Sequence, residues 1–277
     1  MSTGKTAIIA GSGGLPALLA AGLDAVGVPF VIAQLDGYAM DNPAGWPVEP
    51  FVVERLALLF DRLDDLGVER VVFAGAVQRP AIDPERIDPR TAALLPRLLP
   101  AFQAGDDALL RAVIGLFEDA GFAVVGAADL IPSLTASAGV IGAVAPRDQD
   151  IADAARASEI VAHMGPLDVG QGAVVARGLC LAIETLPGTA AMIDFVRAAR
   201  TRFPAPEGGE GVLFKAPKPT QDLRVDMPAI GPDTITAAQA AGLSGIAIAA
   251  GGVMIIERAR TVELADAAGI ALWAVAP

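Results

Sequence analysis

The stretch KAPKPTQDLRVD, residues 215–226, gathers Lys215, Lys218, Asp222, Arg224 and Asp226 in a chain that is only 19% charged. Carboxylates and cations side by side are what a metal-complexed anion needs. A hard divalent ion takes oxygen ligands, often one or two carboxylates, and fills its shell with water and phosphate oxygens. Lysine and arginine then neutralise the remaining phosphate charge. From Asp222 to Met227 polar and apolar residues alternate. An extended chain sets Asp222, Arg224 and Asp226 on one face, with Leu223, Val225 and Met227 packed behind. A solvated sheet edge carries the same pattern. Four residues of strand span about 13 Å, too far for Asp222 and Asp226 to share one ion at bonds of about 2.1 Å. Either the chain bends there, or one aspartate binds the ion while the other orients the cations. Pro217, Pro219, Pro228 and Pro232 stiffen the backbone around it. The candidate catalytic group is Asp226, Asp222, Arg224 and Lys215. Asp226 and Asp222 are its candidate Mg2+ ligands, and Lys218 and Gln221 are further candidate contacts to a ligand.

Glycine loops supply a second set. IIAGSGGLP places Gly11, Ser12, Gly13, Gly14 and Leu15 between an apolar run and a helical pattern. Backbone N–H groups at such a helix start cradle phosphate. The dinucleotide fingerprint wants a third glycine where this chain has Pro16, which counts against a nicotinamide cofactor. A tight strand–helix turn without ligand is the plainer alternative. FAGAVQRP ends another strand with Gly75, Ala76 and Arg79. Ligands of parallel sheets bind beyond the carboxyl ends of strands, so the two loops are placed to line one crevice. Gly170 and Gln171 in LDVGQGAVV offer a polar contact or an ordinary turn. Thr189 in LPGTAAM offers a ligand contact or a helix N-cap, and Asp106 and Asp107 read as caps.

These groups need a scaffold, and composition limits its kind. A chain of 277 residues exceeds what one core usually organises, so two domains are expected. With 53% apolar and 5% aromatic residues the interior is Ala, Leu and Val, as where helices pack on sheets. A net charge of −12 argues against nucleic acid and against electrostatic docking on an anionic leaflet, leaving a local basic patch or apolar insertion as the routes to a membrane surface. Cys180 and His163 are the only residues of their types. That speaks against internal disulfides, Cys/His zinc sites, iron–sulfur clusters and supported Ser-His-Asp triads. Cys180 reads as a small buried hydrophobe, and His163 as a capping or surface residue near a helix end. A metal, if used, has oxygen ligands, hence magnesium or manganese. Residues 234–256 carry no charge over a membrane-spanning length, but GLSG at 242–245 divides them into a helix and a strand. Glycines and Pro16 cut the apolar start too short for a signal core. A soluble cytoplasmic protein is expected.

Strands 6–10, 29–35, 68–77 and 122–127 alternate with helices 16–26, 55–66, 91–103 and 106–120, which argues a parallel sheet covered on both faces. The expected class is α/β: an N-terminal Rossmann-like parallel-sheet domain (1–130), a linker (131–146) and a C-terminal mixed α+β domain (147–277). In the last, a helix at 150–163 precedes a hairpin turning at Arg177-Gly178. A helix at 190–201, a glycine-rich loop and a strand at 211–215 lead into and through the charged stretch.

IAGSGGLP, FAGAVQRP, GDDALLRAV, FAVVGAADLIP, LDVGQGAVV, GVLFKAPKPTQDLRVDMPAIGPDT and AGLSGIAIAAGG follow one another in this order. The set resembles the UDP-2,3-diacylglucosamine pyrophosphatases of the LpxI type, over nearly the whole chain. The resemblance implies a two-domain enzyme of lipid A biosynthesis in Gram-negative bacteria that closes over its substrate. With magnesium it would hydrolyse UDP-2,3-diacylglucosamine to 2,3-diacylglucosamine 1-phosphate (lipid X) and UMP. The family's catalytic aspartate maps to Asp226. A substrate drawn from the bilayer implies transient, peripheral contact with the inner membrane; homo-oligomeric assembly stays open. Where the family pattern reads G-T-D-A-M this chain has GTAAM, with Ala190 in place of the acid, which leaves more for Asp222 and Asp226 to do. Two other classes compete. A nicotinamide-dependent oxidoreductase would bind NAD(H) saturably, and a non-catalytic nucleotide-sugar-binding protein would return the diphosphate intact.

Overall fold

The computed structural model describes residues 4–77, 82–104, 106–219 and 221–276. The chain divides into two compact units, Met1–Pro132 and Ser133–Pro277. The first unit runs β1 (Lys5–Ala10), α1 (Leu15–Ala25), β2 (Phe30–Leu35), β3 (Val48–Phe51), α2 (Leu56–Asp65) and β4 (Val68–Ala74), then α3 (Pro89–Ala92), α4 (Leu95–Ala104), α5 (Asp106–Asp119), β5 (Ala123–Val124) and α6 (Ala127–Leu130). Its five strands are all parallel, in the order β3-β2-β1-β4-β5. β1 lies mid-sheet, with Ile8 paired to Ile32 on one side and Val72 on the other. Burial on both faces explains why its sequence is a continuous apolar run. Pro16 sits in the first turn of α1, where its missing N–H costs nothing. The helix expected at 91–103 is instead two, because Pro96 has no N–H to continue the ladder from α3. The last strand ends early, at Val124, since Gly126 caps α6 and donates its N–H to Asp129.

The second unit runs β6 (Gly139–Val140), α7 (Asp148–Met164), β7 (Gly172–Ala176), β8 (Leu179–Ile183), α8 (Gly188–Ala199) and β9 (Val212–Lys215), then β10 (Ala229–Ile230), α9 (Pro232–Ala240), β11 (Gly245–Ala249), β12 (Met254–Ile255), α10 (Arg258–Ala267) and β13 (Ala271–Val275). A six-stranded mixed sheet has the order β6-β13-β11-β9-β7-β8, and β10 pairs with β12 separately. β9, β11 and β13 are mutually parallel, whereas β6, β7 and β8 join antiparallel. The hairpin turns at Arg177 and Gly178 with φ of 51° and 75°, the left-handed pair that matches strand twist. Residues expected as a linker include β6, which pairs with β13. Period-two alternation sorts the sheet's side chains. Val212, Phe214, Ala173 and Val175 pack with α7, while Leu213 and Val174 pack with Met192, Ile193 and Val196 of α8. Each fully buried aliphatic side chain of this kind stabilises by about 1.5–3 kcal/mol.

One expectation is corrected here. Cys180 is exposed, because β8 is the sheet's edge strand and leaves it uncovered. The uncharged stretch 234–256 divides as expected, into α9 and β11, and no helix among the described residues is long and apolar enough to cross a membrane.

Candidate active site

Lys215 is the last residue of β9 and follows Phe214, so alternation turns it to the face of Leu213, where α8 packs. There Nζ donates to Thr189 Oγ1 at 2.7 Å and to the Ala229 carbonyl at 3.1 Å. Thr189 is therefore no N-cap. Gly188 begins α8 and Pro187 precedes it without a side-chain cap, which leaves the threonine hydroxyl for the lysine. Lys215 is only 5% exposed. Burial pushes its ammonium towards the neutral form, and the carboxylates of Glu184 and Asp226 oppose that.

The charged stretch is not a strand. Residues 223–225 form a turn, closed by Val225 N–H and Asp226 N–H donating to the Asp222 carbonyl at 3.1 and 3.0 Å. The alternation of polar and apolar residues thus belongs to a helical turn, and the bend anticipated as one alternative is the one realised. Local side-chain bonding explains the choice. Asp222 Oδ1 accepts from its own neighbour's backbone, Arg224 N, at 3.0 Å, the bond that makes aspartate a turn former. The Arg224 guanidinium then grips both Asp222 oxygens, at 3.0 Å from Nε and 2.7 Å from Nη2. Asp226 has a different partner. Gln221 Nε2 donates to its Oδ2 at 2.6 Å and to Gln171 Oε1 at 3.3 Å, while Gln221 Oε1 accepts from Lys218 N at 2.9 Å. Lys218 Nζ pairs with Asp168.

Prolines lock this segment in place. A Cβ on Gly252 would lie 3.0 Å from Pro217 Cδ, and one on Gly165 would lie 2.6 Å from Pro219 Cδ. Beyond the turn, Pro228 offers its carbonyl to Met254 N–H at 2.8 Å. Gly170 and Gly172 serve a similar packing need: a Cβ at Gly170 would meet the Glu184 carbonyl oxygen at 2.0 Å, and one at Gly172 would meet Glu184 Oε2 at 2.7 Å. Lys215, Thr189, Gln171, Gln221, Asp226 and Glu184 are thus brought together at one end of the mixed sheet.

The first unit assembles its own set. Ser12 and Ala76 exchange backbone hydrogen bonds at 3.0 and 2.9 Å, joining the loop after β1 to the loop after β4. The two loops adjoin at the point where strand order reverses, the usual ligand position of such sheets. Gly11 and Gly75 are required by that contact, since a Cβ on either would come within 2.6 Å of the facing backbone oxygen. Gly13 takes φ of 95°, Gly14 caps α1 and Leu15 begins it. Arg79 lies outside the described residues.

The two halves also match known sequences. Residues 5–134 match the LpxI N-terminal domain and residues 137–273 the LpxI C-terminal domain. Over 277 residues the chain is 39% identical to the UDP-2,3-diacylglucosamine pyrophosphatase LpxI of Caulobacter vibrioides, covering 99% of this chain and 98% of that protein. The chain belongs to the LpxI family.

In this LpxI-family protein the donor set for a hard cation is narrow. Among the described residues no three histidine, cysteine or acidic side chains gather to hold a metal. Asp222 is engaged by Arg224 through both oxygens. Among the described residues Asp226 accepts a side-chain bond on Oδ2, from Gln221. One carboxylate oxygen of that kind suits magnesium, which completes its shell with water and substrate oxygens. Glu184 is the residue that sequence reasoning missed. It lies in a plain apolar run, and only its burial at 6% exposure and the paired glycines opposite reveal it.

Proposed function

We propose that this LpxI-family protein hydrolyses the diphosphate of UDP-2,3-diacylglucosamine, releasing 2,3-diacylglucosamine 1-phosphate (lipid X) and UMP, with Mg2+ as cofactor. The observation that carries the reading is the buried Lys215 ammonium, fixed by Thr189 and Ala229 beside Asp226. A cation held dry and aimed in this way is worth far more to a reacting phosphate than one in water. In the reaction a water oxygen bonds to one phosphorus, the bridging P–O bond breaks with its electrons on the departing phosphate, and a proton is released. Bound magnesium neutralises diphosphate oxygens. Asp226 holds the ion or orients the water, steadied by Gln221. Lys215, Lys218 and Arg224 supply positive charge, and positioning does most of the work, as in other phosphoryl transfers. The loops of Gly11–Leu15 and Gly75–Ala76 contribute substrate contacts. Because the acyl chains belong to the bilayer, the enzyme works in peripheral contact with the inner membrane.

The test is Asp226→Ala, assayed with UDP-2,3-diacylglucosamine in mixed micelles. Folded variant protein is expected to lose turnover by about 10³-fold or more. Wild-type turnover in that variant would remove the assignment. Turnover that survives thorough metal stripping would remove the magnesium role, and a wild-type protein that returns the diphosphate intact would leave a binding protein.

A further inference from the structure

One buried carboxylate has no part in that reading. Glu184 is 6% exposed, and its Oε2 accepts no hydrogen bond from the described residues. Its own N–H is fixed on the Gly172 carbonyl at 2.8 Å. Gly170 and Gly172 give up their side chains to admit it, although an unsatisfied buried acceptor is costly and calls for an explanation. Two of the three Lys215 donors are taken by Thr189 and Ala229, and that ammonium is itself buried. We propose that Glu184 is a positioning residue, the countercharge that keeps the Lys215 ammonium charged and aimed at the diphosphate. The proposal rests on the reading that Lys215 acts on that group. Gly172 is paired with Lys215 across β7 and β9, and Glu184 Oε2 lies 2.7 Å from where a Cβ on Gly172 would stand, so Glu184, from the loop after β8, occupies the face of the sheet that Lys215 enters. Glu184 and, from the 222–226 turn, Asp226 both oppose the effect of burial on the lysine. Asp226 is committed to Gln221 and, in the proposed reaction, to the metal or water. Glu184 Oε2 has no hydrogen-bond donor among the described residues, so it is the carboxylate oxygen available to balance the lysine.

The experiment uses the full chain. In 15N-labelled protein the Lys215 Nζ–H correlation, visible when an ammonium is buried and hydrogen-bonded, is expected in the wild type and in E184D but not in E184Q. E184Q is expected to lower kcat by about 10- to 100-fold with KM within about threefold. E184D restores most of the turnover, and K215M/E184Q is no slower than K215M alone. An intact correlation in E184Q, its absence from the wild type, or an E184Q loss that persists in the K215M background would each overturn the proposal. So would weaker Mn2+ affinity in E184Q with the correlation intact, which would make Glu184 a metal ligand. Should E184Q not fold, K215M/E184Q must fold, because the cost lies in an unmatched buried charge; failure of both overturns it too. The correlation needs no substrate, so it stands or falls separately from the proposed reaction.

Discussion

Gln221→Glu replaces one atom and reverses one interaction. In the wild type Gln221 Nε2 donates to Asp226 Oδ2 at 2.6 Å; in the variant an oxygen faces that oxygen. Two full negative charges at this separation repel by about 6 kcal/mol at an effective dielectric constant near 20. A cheaper route exists. Holding a proton on the introduced carboxyl at pH 7 costs about 4 kcal/mol for an ordinary glutamate, at 1.36 kcal/mol per pH unit. Proton uptake therefore sets the ceiling, and loss of a charge-assisted hydrogen bond, about 1.5 kcal/mol, sets the floor. The expected destabilisation at pH 7 is about 2–4 kcal/mol. The sign with pH follows. The folded variant binds a proton that its unfolded chain lacks, so its stability falls as pH rises and recovers towards pH 5, where uptake costs about 1 kcal/mol. Gln221→Ala loses the Nε2 bonds and also the one that Oε1 accepts from Lys218 N, without adding charge, and its deficit is the same at both pH values. Urea unfolding of wild type, Q221E and Q221A at pH 7 and pH 5 measures this. A Q221E deficit that does not shrink between those pH values, or that equals the Q221A deficit throughout, refutes the reasoning. Turnover of both variants is expected to fall about 10²-fold, because Asp226 is no longer held in place.

Lys215 makes the opposite contribution at alkaline pH. Burial lowers its pKa from 10.5, so above its folded pKa the unfolded chain binds the extra proton and the wild type gains stability as pH rises towards 10.5. Lys215→Met removes that gain, so the difference in unfolding free energy between the two proteins should shift in the wild type's favour as pH rises from 7 to 10.5; a constant difference counts against the buried ammonium. Gly170→Ala places a Cβ 2.0 Å from a backbone oxygen, whereas Gly172→Ala places one 2.7 Å from the end of the Glu184 side chain, which can shift. Overpacking should cost about 3 kcal/mol in the first and about 1 kcal/mol in the second, and thermal unfolding that ranks them equally would contradict the packing account.

Much of the fold was legible because it rests on period. The buried run at β1, the leucine spacing of α2 and the break at GLSG each state their element locally, and the Arg177-Gly178 turn announces the hairpin. Short elements were not legible. β6, β10 and β12 have two residues each and exist only through partners distant in sequence. The site divides likewise. Lys215, Gln171, Gln221 and Asp226 come from motifs whose residue types stand out, and the structure brings them together. The shape of the Asp222–Met227 segment did not follow, since strict alternation over six residues fits a strand, and only the Asp222 side-chain bonds select the turn. Glu184 gave no signal because its significance lies in a buried Oε2 to which no described residue donates, and that is a property of the fold.

The prolines and the charges of residues 215–228 answer to one requirement. Electrostatic assistance to a phosphate costs least when the cations need not reorganise as charge shifts in the transition state. A flexible loop carrying Lys215, Lys218 and Arg224 would lose that advantage, because each approach would order backbone at about 1–2 kcal/mol per residue. Here the ordering is done during folding. Pro217 wedges against Gly252, Pro219 against Gly165, Pro228 ties to β12, and the Asp222 turn closes between them. Burial of Lys215 works against stability and is sustained by Thr189 and Ala229 around it. A segment that combines a costly buried charge with backbone fixed on both sides is built for something other than stability, and the stiff backbone is what allows the charge to be kept.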